Sequence, residues 1–153
     1  MSFVIRKIIS TGKCPKPLAP YSQAVVADRT VYCSGVIGIE LDEPKLVTGG
    51  AAVQTAKALE HLTNLLAAAG SGIDKVVKTT VLLADMEDYA AVNEEYKRVF
   101  GSNFPARTCY ACRNFLWVLL LRLKPWVSSE RLKMKLVEQY IVKNPCLLNI
   151  LKT

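Results

Sequence analysis

The sequence predicts an α+β fold in which two helices cover one face of a mostly antiparallel sheet. Three observations predict it: β-prone runs open the chain, two later stretches carry apolar residues at helical spacing, and a further β-prone run follows each of those stretches. The resulting order, β-β-β-α-β-α-β, fits one layer of helices on one sheet. At 153 residues the chain fits one domain with a single sizeable core.

Each element has a local reason. Residues 4–9 are a short β-prone run, ended by Thr11-Gly12 and a Pro-containing loop through Pro20. Residues 21–27 and 31–39 are apolar and β-branched around Asp28-Arg29, which is a hairpin signal. A polar connection with Asp42, Pro44 and Gly49-Gly50 follows. Thr48 is expected to cap a helix over residues 51–69, where Ala52, Ala56, Leu59, Leu62, Leu66 and Ala69 recur at helical spacing and Gly70 and Gly72 supply the stop. Residues 76–83 read as a strand buried on both faces. Asp85 starts a second helix, with Glu87 and Asp88 in its first turn complementing the helix dipole. Tyr89, Val92, Tyr96, Val99 and Phe100 form its apolar stripe, and residues 106–112 are a further strand. An open sheet edge there calls for one more strand, which the sequence does not obviously supply.

Charge narrows the function classes. Residues 1–114 carry 13 Lys and Arg against 11 Asp and Glu, a balance of +2; residues 115–153 carry 7 against 2, a balance of +5. The net +7 therefore sits mostly in the tail, and the body has no basic stripe for nucleic acid. No apolar run is long enough to span a bilayer, and the N-terminus has no secretory pattern, so a cytoplasmic protein is expected.

The five cysteines (Cys14, Cys33, Cys109, Cys112, Cys146) are expected as free thiols. Cys109-Tyr110-Ala111-Cys112 matches C-x-x-C but has no second pair and no nearby histidine, so ordinary strand cysteines are expected, with no metal and no cofactor. The only histidine, His61, reads as a partly exposed helix residue. Gly70-Ser71-Gly72 follows a helix, so it is a helix stop and not a phosphate loop.

Ala19-Pro20-Tyr21-Ser22-Gln23-Ala24, Ser34-Gly35-Val36-Ile37-Gly38, residues 77–85 (V-K-T-T-V-L-L-A-D), Val92-Asn93-Glu94-Glu95-Tyr96 and Phe104-Pro105-Ala106-Arg107 occur in order and without a large gap. On these motifs the chain, from about residue 3 to residue 114, resembles the RidA (YjgF) family of imine and enamine deaminases. The resemblance implies a chorismate-mutase-like, RidA-type α+β unit, usually a homotrimer with clefts between subunits. It also implies hydrolysis of reactive 2-imino and 2-enamino acids to 2-keto acids and ammonia, a detoxification that needs no cofactor.

Such chemistry asks for a fixed bidentate cation on a small carboxylate and a polarised water. By resemblance Arg107 is the carboxylate clamp and Cys109 lines the same strand, so these two carry the catalytic assignment. Tyr21, Ser34 and Asn93 border the cleft and, with Arg107, bind substrate. Each also has a plainer reading: a surface arginine, a strand cysteine, a packed tyrosine, a turn serine, a helix-face asparagine.

The resemblance stops near Asn114. The family continues with L-P-x-G-x-x-V-E-I-E-A-V-A, whose first glutamate positions the hydrolytic water. Here residues 1–114 are expected as the RidA-like domain and residues 115–153 as an atypical basic, Leu-rich tail in place of the last strand. Residues 115–126 can be encoded by a nucleotide string that, read one base earlier, spells L-P-M-G-A-T-V-E-I-E-A-V; a one-base loss near Asn114 accounts for the tail. Arg122 then stands where the glutamate belongs, which implies impaired activity. The competing view is a genuine tail that packs as an extra helix, over about residues 132–142, or that binds a membrane or an acidic partner. Two further functional readings stay open: a single-strand endoribonuclease that inhibits translation, and a non-catalytic trimer binding small ligands.

Overall fold

The computed structural model describes residues 4–112 together with 135–136 and 140–142. Strands β1 (Arg6–Ile9), β2 (Ala24–Ala27) and β3 (Thr30–Cys33) form an antiparallel meander. The β2–β3 turn places Asp28 at φ 50°, a left-handed conformation that Asp tolerates. β3 stops at Cys33, short of the expected residue 39. Beyond it Ser34 to Ile37 form no strand, and Ile39 makes a lone bridge to Leu46. Gly38 explains the irregular path: a Cβ there would run into the backbone of Gln54, so this segment crosses the helix at a closeness only glycine allows.

That helix is α1 (Gly50–Ala68). Thr48 does not cap it. The N-cap is Gly49 at φ 113°, followed by Gly50 at φ 81°, and the left-handed pair turns the chain so that no side chain bonds the first turn. At the other end Ser71 N–H donates to Leu66 O at 2.8 Å and Gly70 N–H, at φ 76°, to Ala67 O at 3.0 Å. This is a Schellman closure and accounts for the glycine stop.

The buried face of α1 centres on Ala58, Leu59, Leu62, Leu65 and Leu66, leaving Ala52, Ala56 and Ala69 at its margins. His61 lies on this face and is 1 % exposed, which corrects the expectation of a partly exposed residue. A bond from Nε2 to Ile39 O at 3.0 Å satisfies one ring nitrogen and pins the loop after β3 to the helix, while Nδ1 is buried without a hydrogen-bond partner among the described residues.

β4 (Lys78–Leu83) is buried along nearly its whole length, as expected of a strand covered on both faces, and it takes Thr79 and Thr80 into the interior with Val81, Leu82 and Leu83. After it, Asp85 accepts a hydrogen bond from Glu87 N–H at 2.9 Å, opening a 3-10 turn (Met86–Asp88) that runs into α2 (Tyr89–Phe100). Val92, Tyr96 and Phe100 are the buried residues of α2. β5 (Ala106–Ala111) returns beside β4 and pairs with it in parallel from Lys78↔Ala106 to Leu83↔Ala111, as a strand–helix–strand crossover requires.

Two short strands come from the tail: β6 (Lys135–Leu136) pairs in parallel with β3, and β7 (Tyr140–Val142) with β4. The orders are β1-β2-β3-β6 and β5-β4-β7. Where residues 132–142 are described they are strand and not helix; the unpaired edges of β3 and β4 offer ladder partners that a helix would leave idle. Arg122 and the motif break lie outside the described residues.

One apolar cluster joins Ile9, Ala24 and Val31 of the meander to α1, β4 and α2 through Leu59, Leu62, Leu66, Val81 and Val92. Each fully buried Leu or Val in it contributes about 1.5–3 kcal/mol. The helices thereby fix the face of β5 that carries the candidate site. Among the described residues no helix is long and apolar enough to cross a membrane.

Candidate active site

Alternation along β5 puts Arg107 and Cys109 on the same face, level with Thr79 and Val81 of β4. α2 covers that face. Tyr89, Asn93 and Tyr96 follow one another at spacings of four and three, so they share one side of the helix.

Tyr96 is the floor. Its hydroxyl lies 2.7 Å from Thr79 Oγ1, and its ring stacks on Phe100 with centroids 4.3 Å apart. The Arg107 guanidinium carbon stands 4.7 Å from the centroid of Tyr96 and 5.5 Å from that of Tyr89. Nη2 of Arg107 donates to Asn93 Oδ1 at 2.7 Å and to the Tyr89 hydroxyl at 3.2 Å. Stacking on electron-rich rings contributes about 0.5–2 kcal/mol and holds the guanidinium plane.

The three ion pairs among the described residues are Lys57–Glu60, Lys97–Glu94 and Arg98–Glu95, each one helical turn apart. Arg107 is in none of them, so neutral acceptors orient its charge without cancelling it. Burial raises the Tyr96 hydroxyl pKa; the bond to Thr79 and the nearby Arg107 pull the other way. Burial likewise raises the Cys109 thiol, against Arg107 and with Cys112. Cys109 therefore stays a thiol at neutral pH, which suits a wall of the site better than a thiolate nucleophile.

Of the residues singled out in the sequence, Arg107, Cys109 and Asn93 come together. Tyr21 and Ser34 form a second group at the open end of the β2–β3 hairpin. Ser34 Oγ donates to Ser22 O at 2.6 Å, while the half-exposed Tyr21 hydroxyl accepts from Leu18 N–H at 3.4 Å. Among the described residues no hydrogen bond or ring contact joins this group to Arg107. Apolar periodicity counts Tyr89 and Tyr96 as members of a stripe, in line with Asn93, and does not reveal either as a partner of Arg107. The spacing Tyr89, Asn93, Tyr96 was the available signal, since it aims two rings and an amide in one direction. Gln23 is structural: its amide bonds Thr11, Cys14 and Pro15 and holds the loop before β2.

Comparison with known proteins bears on this arrangement. The endoribonuclease L-PSP family profile matches residues 11–116. A RutC family protein of Drosophila melanogaster is 59% identical over 110 residues, covering 72% of this chain and 80% of that protein. Human 2-iminobutanoate/2-iminopropanoate deaminase is 53% identical over 110 residues, with the same coverage of 72% and 80%. The crystal structure of RidA from the Antarctic bacterium Psychrobacter superposes with a TM-score of 0.67 at 33% identity, covering 70% of this chain and 86% of that one.

Proposed function

Because the chain belongs to the endoribonuclease L-PSP (RidA/YjgF) family, we propose that its site binds small 2-imino acids and hydrolyses them to 2-keto acids and ammonia. The observation that carries this reading is Arg107, a guanidinium oriented by Asn93 and Tyr89 and stacked on Tyr96, with its charge unpaired by any carboxylate among the described residues. Such a group suits a small carboxylate as ligand.

With the carboxylate seated on Arg107, the C=N carbon next to it is the reacting centre. Water adds its oxygen to that carbon, the nitrogen takes up the π electrons and a proton, and the carbinolamine collapses to a ketone with loss of ammonia. Protonation makes the nitrogen a leaving group, so neither a metal nor an oxidant is needed. Cys109, level with Val81 on the Arg107 face, lines the path along β5. Tyr21 and Ser34 lie in a separate group, which supports a cleft between copies in a homotrimer, the hairpin end of one chain meeting the β5 face of the next. Arg122 holds the position of the water-directing glutamate, so this polypeptide is proposed to turn over slowly or only to bind.

The test generates 2-iminobutanoate in situ and follows 2-ketobutanoate and ammonia above the uncatalysed rate. Turnover lost in Arg107→Ala supports the reading, and the absence of both turnover and 2-ketobutanoate binding sinks it. Full turnover with position 122 verified as Arg would remove the claim of impairment. Sequencing the transcript over the codons for residues 107–130 tests the frame: a missing base that restores V-E-I-E-A-V makes the tail an artefact. The family profile's description also names an endoribonuclease, but the near-balanced charge of residues 1–114 gives RNA little to bind.

A further inference from the structure

Both hydrogens of Arg107 Nη2 are engaged, one by Asn93 Oδ1 at 2.7 Å and the other by the Tyr89 hydroxyl at 3.2 Å. A guanidinium grips a carboxylate through two adjacent N–H bonds, and each of its two forks includes one hydrogen of Nη2. A carboxylate arriving at either fork therefore meets Asn93 or Tyr89 where the second bond would form. The two residues answer differently. Asn93 makes the shorter bond from a half-buried position, and an amide oxygen offers no proton to an anion. Tyr89 is 39% exposed and accepts from Arg107, which leaves its own O–H proton uncommitted among the described residues.

We infer that Tyr89 is a substrate-binding residue: its hydroxyl lengthens the Arg107 fork and donates to the carboxylate of the bound 2-imino or 2-keto acid. One carboxylate oxygen takes an N–H of Arg107 directly, and the other takes the Tyr89 O–H. The chain from Nη2 through the phenol to the carboxylate is cooperative, because a phenol that accepts from a cation donates more strongly. The ring, 5.5 Å from the guanidinium carbon, sets how closely the acid can approach, which favours short side chains. This inference rests on the proposed 2-imino-acid site and names one more of its contacts.

The experiment compares the full-length protein with Tyr89→Phe, which keeps the ring and removes only the donor. Binding of 2-ketobutanoate and of its neutral amide is measured by calorimetry or ligand-observed NMR. The expected result is about a ten- to hundredfold loss of affinity for the acid, on the order of one hydrogen bond to a charged group, with little change for the amide and an unchanged melting temperature. Equal affinity of the two proteins for the acid would overturn the inference and leave the deaminase reading standing. Parallel losses for acid and amide would also overturn it, by making Tyr89 a packing residue. No binding of the acid to the unmutated protein would overturn this inference, and the deaminase reading with it where imine turnover is absent too. Acid binding that depends on Tyr89, in a protein that turns over no imine, would support this inference and identify the chain as one that holds the acid without hydrolysing it.

Discussion

Asn93 Oδ1 and Arg107 Nη2 lie 2.7 Å apart, tying the middle of α2 to the start of β5 through an acceptor that carries no charge. An asparagine there fixes the direction of the guanidinium while leaving its field for a ligand. Asn93→Asp keeps the geometry and adds a resident anion at the same distance. Affinity for 2-ketobutanoate is expected to fall about tenfold or more, with stability unchanged or raised by about 0.5–1 kcal/mol. Calorimetric titration and denaturant melts check the two halves. An unchanged affinity would mean that the charge of Arg107 does not hold the ligand.

Arg107→Lys preserves the charge and discards the planar fork. The ammonium cannot serve Asn93, Tyr89 and a carboxylate together while lying flat on Tyr96. A loss of about 10- to 100-fold in acid affinity is expected, against a fold that stays intact because Arg107 is only half-buried. Near-normal binding by the lysine variant would reduce the site to simple charge attraction.

Tyr96→Phe separates support from stacking. The ring under Arg107 remains, but Thr79, which is 0% exposed, loses its 2.7 Å partner. A buried hydroxyl without its bond costs about 1–3 kcal/mol. Urea unfolding should show that loss while ligand affinity changes less than threefold. An unaffected midpoint would mean that Thr79 finds another hydrogen-bond partner.

Gly38→Ala tests the close crossing of α1. The new methyl meets the Gln54 backbone, which cannot give way as a flexible side chain would. A destabilisation of about 1–3 kcal/mol is expected from overpacking, read as a shifted urea midpoint at unchanged slope.

Burial pushes the Cys14 thiol up to about 11 and the Cys33 thiol up to about 12, with Glu60 and Cys14 respectively adding to the effect. The folded state therefore holds these protons more tightly than the unfolded chain, whose thiols ionise near pH 9. The stabilisation is complete below pH 9 and is lost as pH rises toward 11 and 12. Melting temperature should fall along that alkaline limb, and less steeply in Cys33→Ala. At pH 8 a thiol-alkylating reagent should label Cys109 and Cys112 well before Cys14 and Cys33, which are 5% and 9% exposed.

Local pattern made much of this legible. The helix stop at Gly70 and the cap at Asp85 each depend on neighbours within a few residues, and both fall where those neighbours require, whereas the second and third β-prone runs are shorter than expected, Ala24–Ala27 and Thr30–Cys33. Thr48 failed as a cap because the two glycines after it adopt left-handed angles, which propensity alone does not reveal. His61 was misjudged because its partner, the Ile39 carbonyl, lies 22 residues away in a loop. Arg107 and Asn93 were reachable through the family motif. The part played by Tyr89 was not, since apolar periodicity counts a tyrosine as a ring and overlooks its hydroxyl.

The crossover from β4 through α2 to β5 supplies every residue that orients Arg107: Thr79, Tyr89, Asn93, Tyr96 and Arg107 itself. The residues that orient Arg107 thus lie in one continuous stretch of chain, from Thr79 to Arg107. The proposed one-base loss near Asn114 would strike the proposed water-directing part of the site and spare this stretch. On the proposed reading, the capacity to hold a small acid and the capacity to hydrolyse it would be written in separable parts of the chain, so that a lineage can lose the second while inheriting the first.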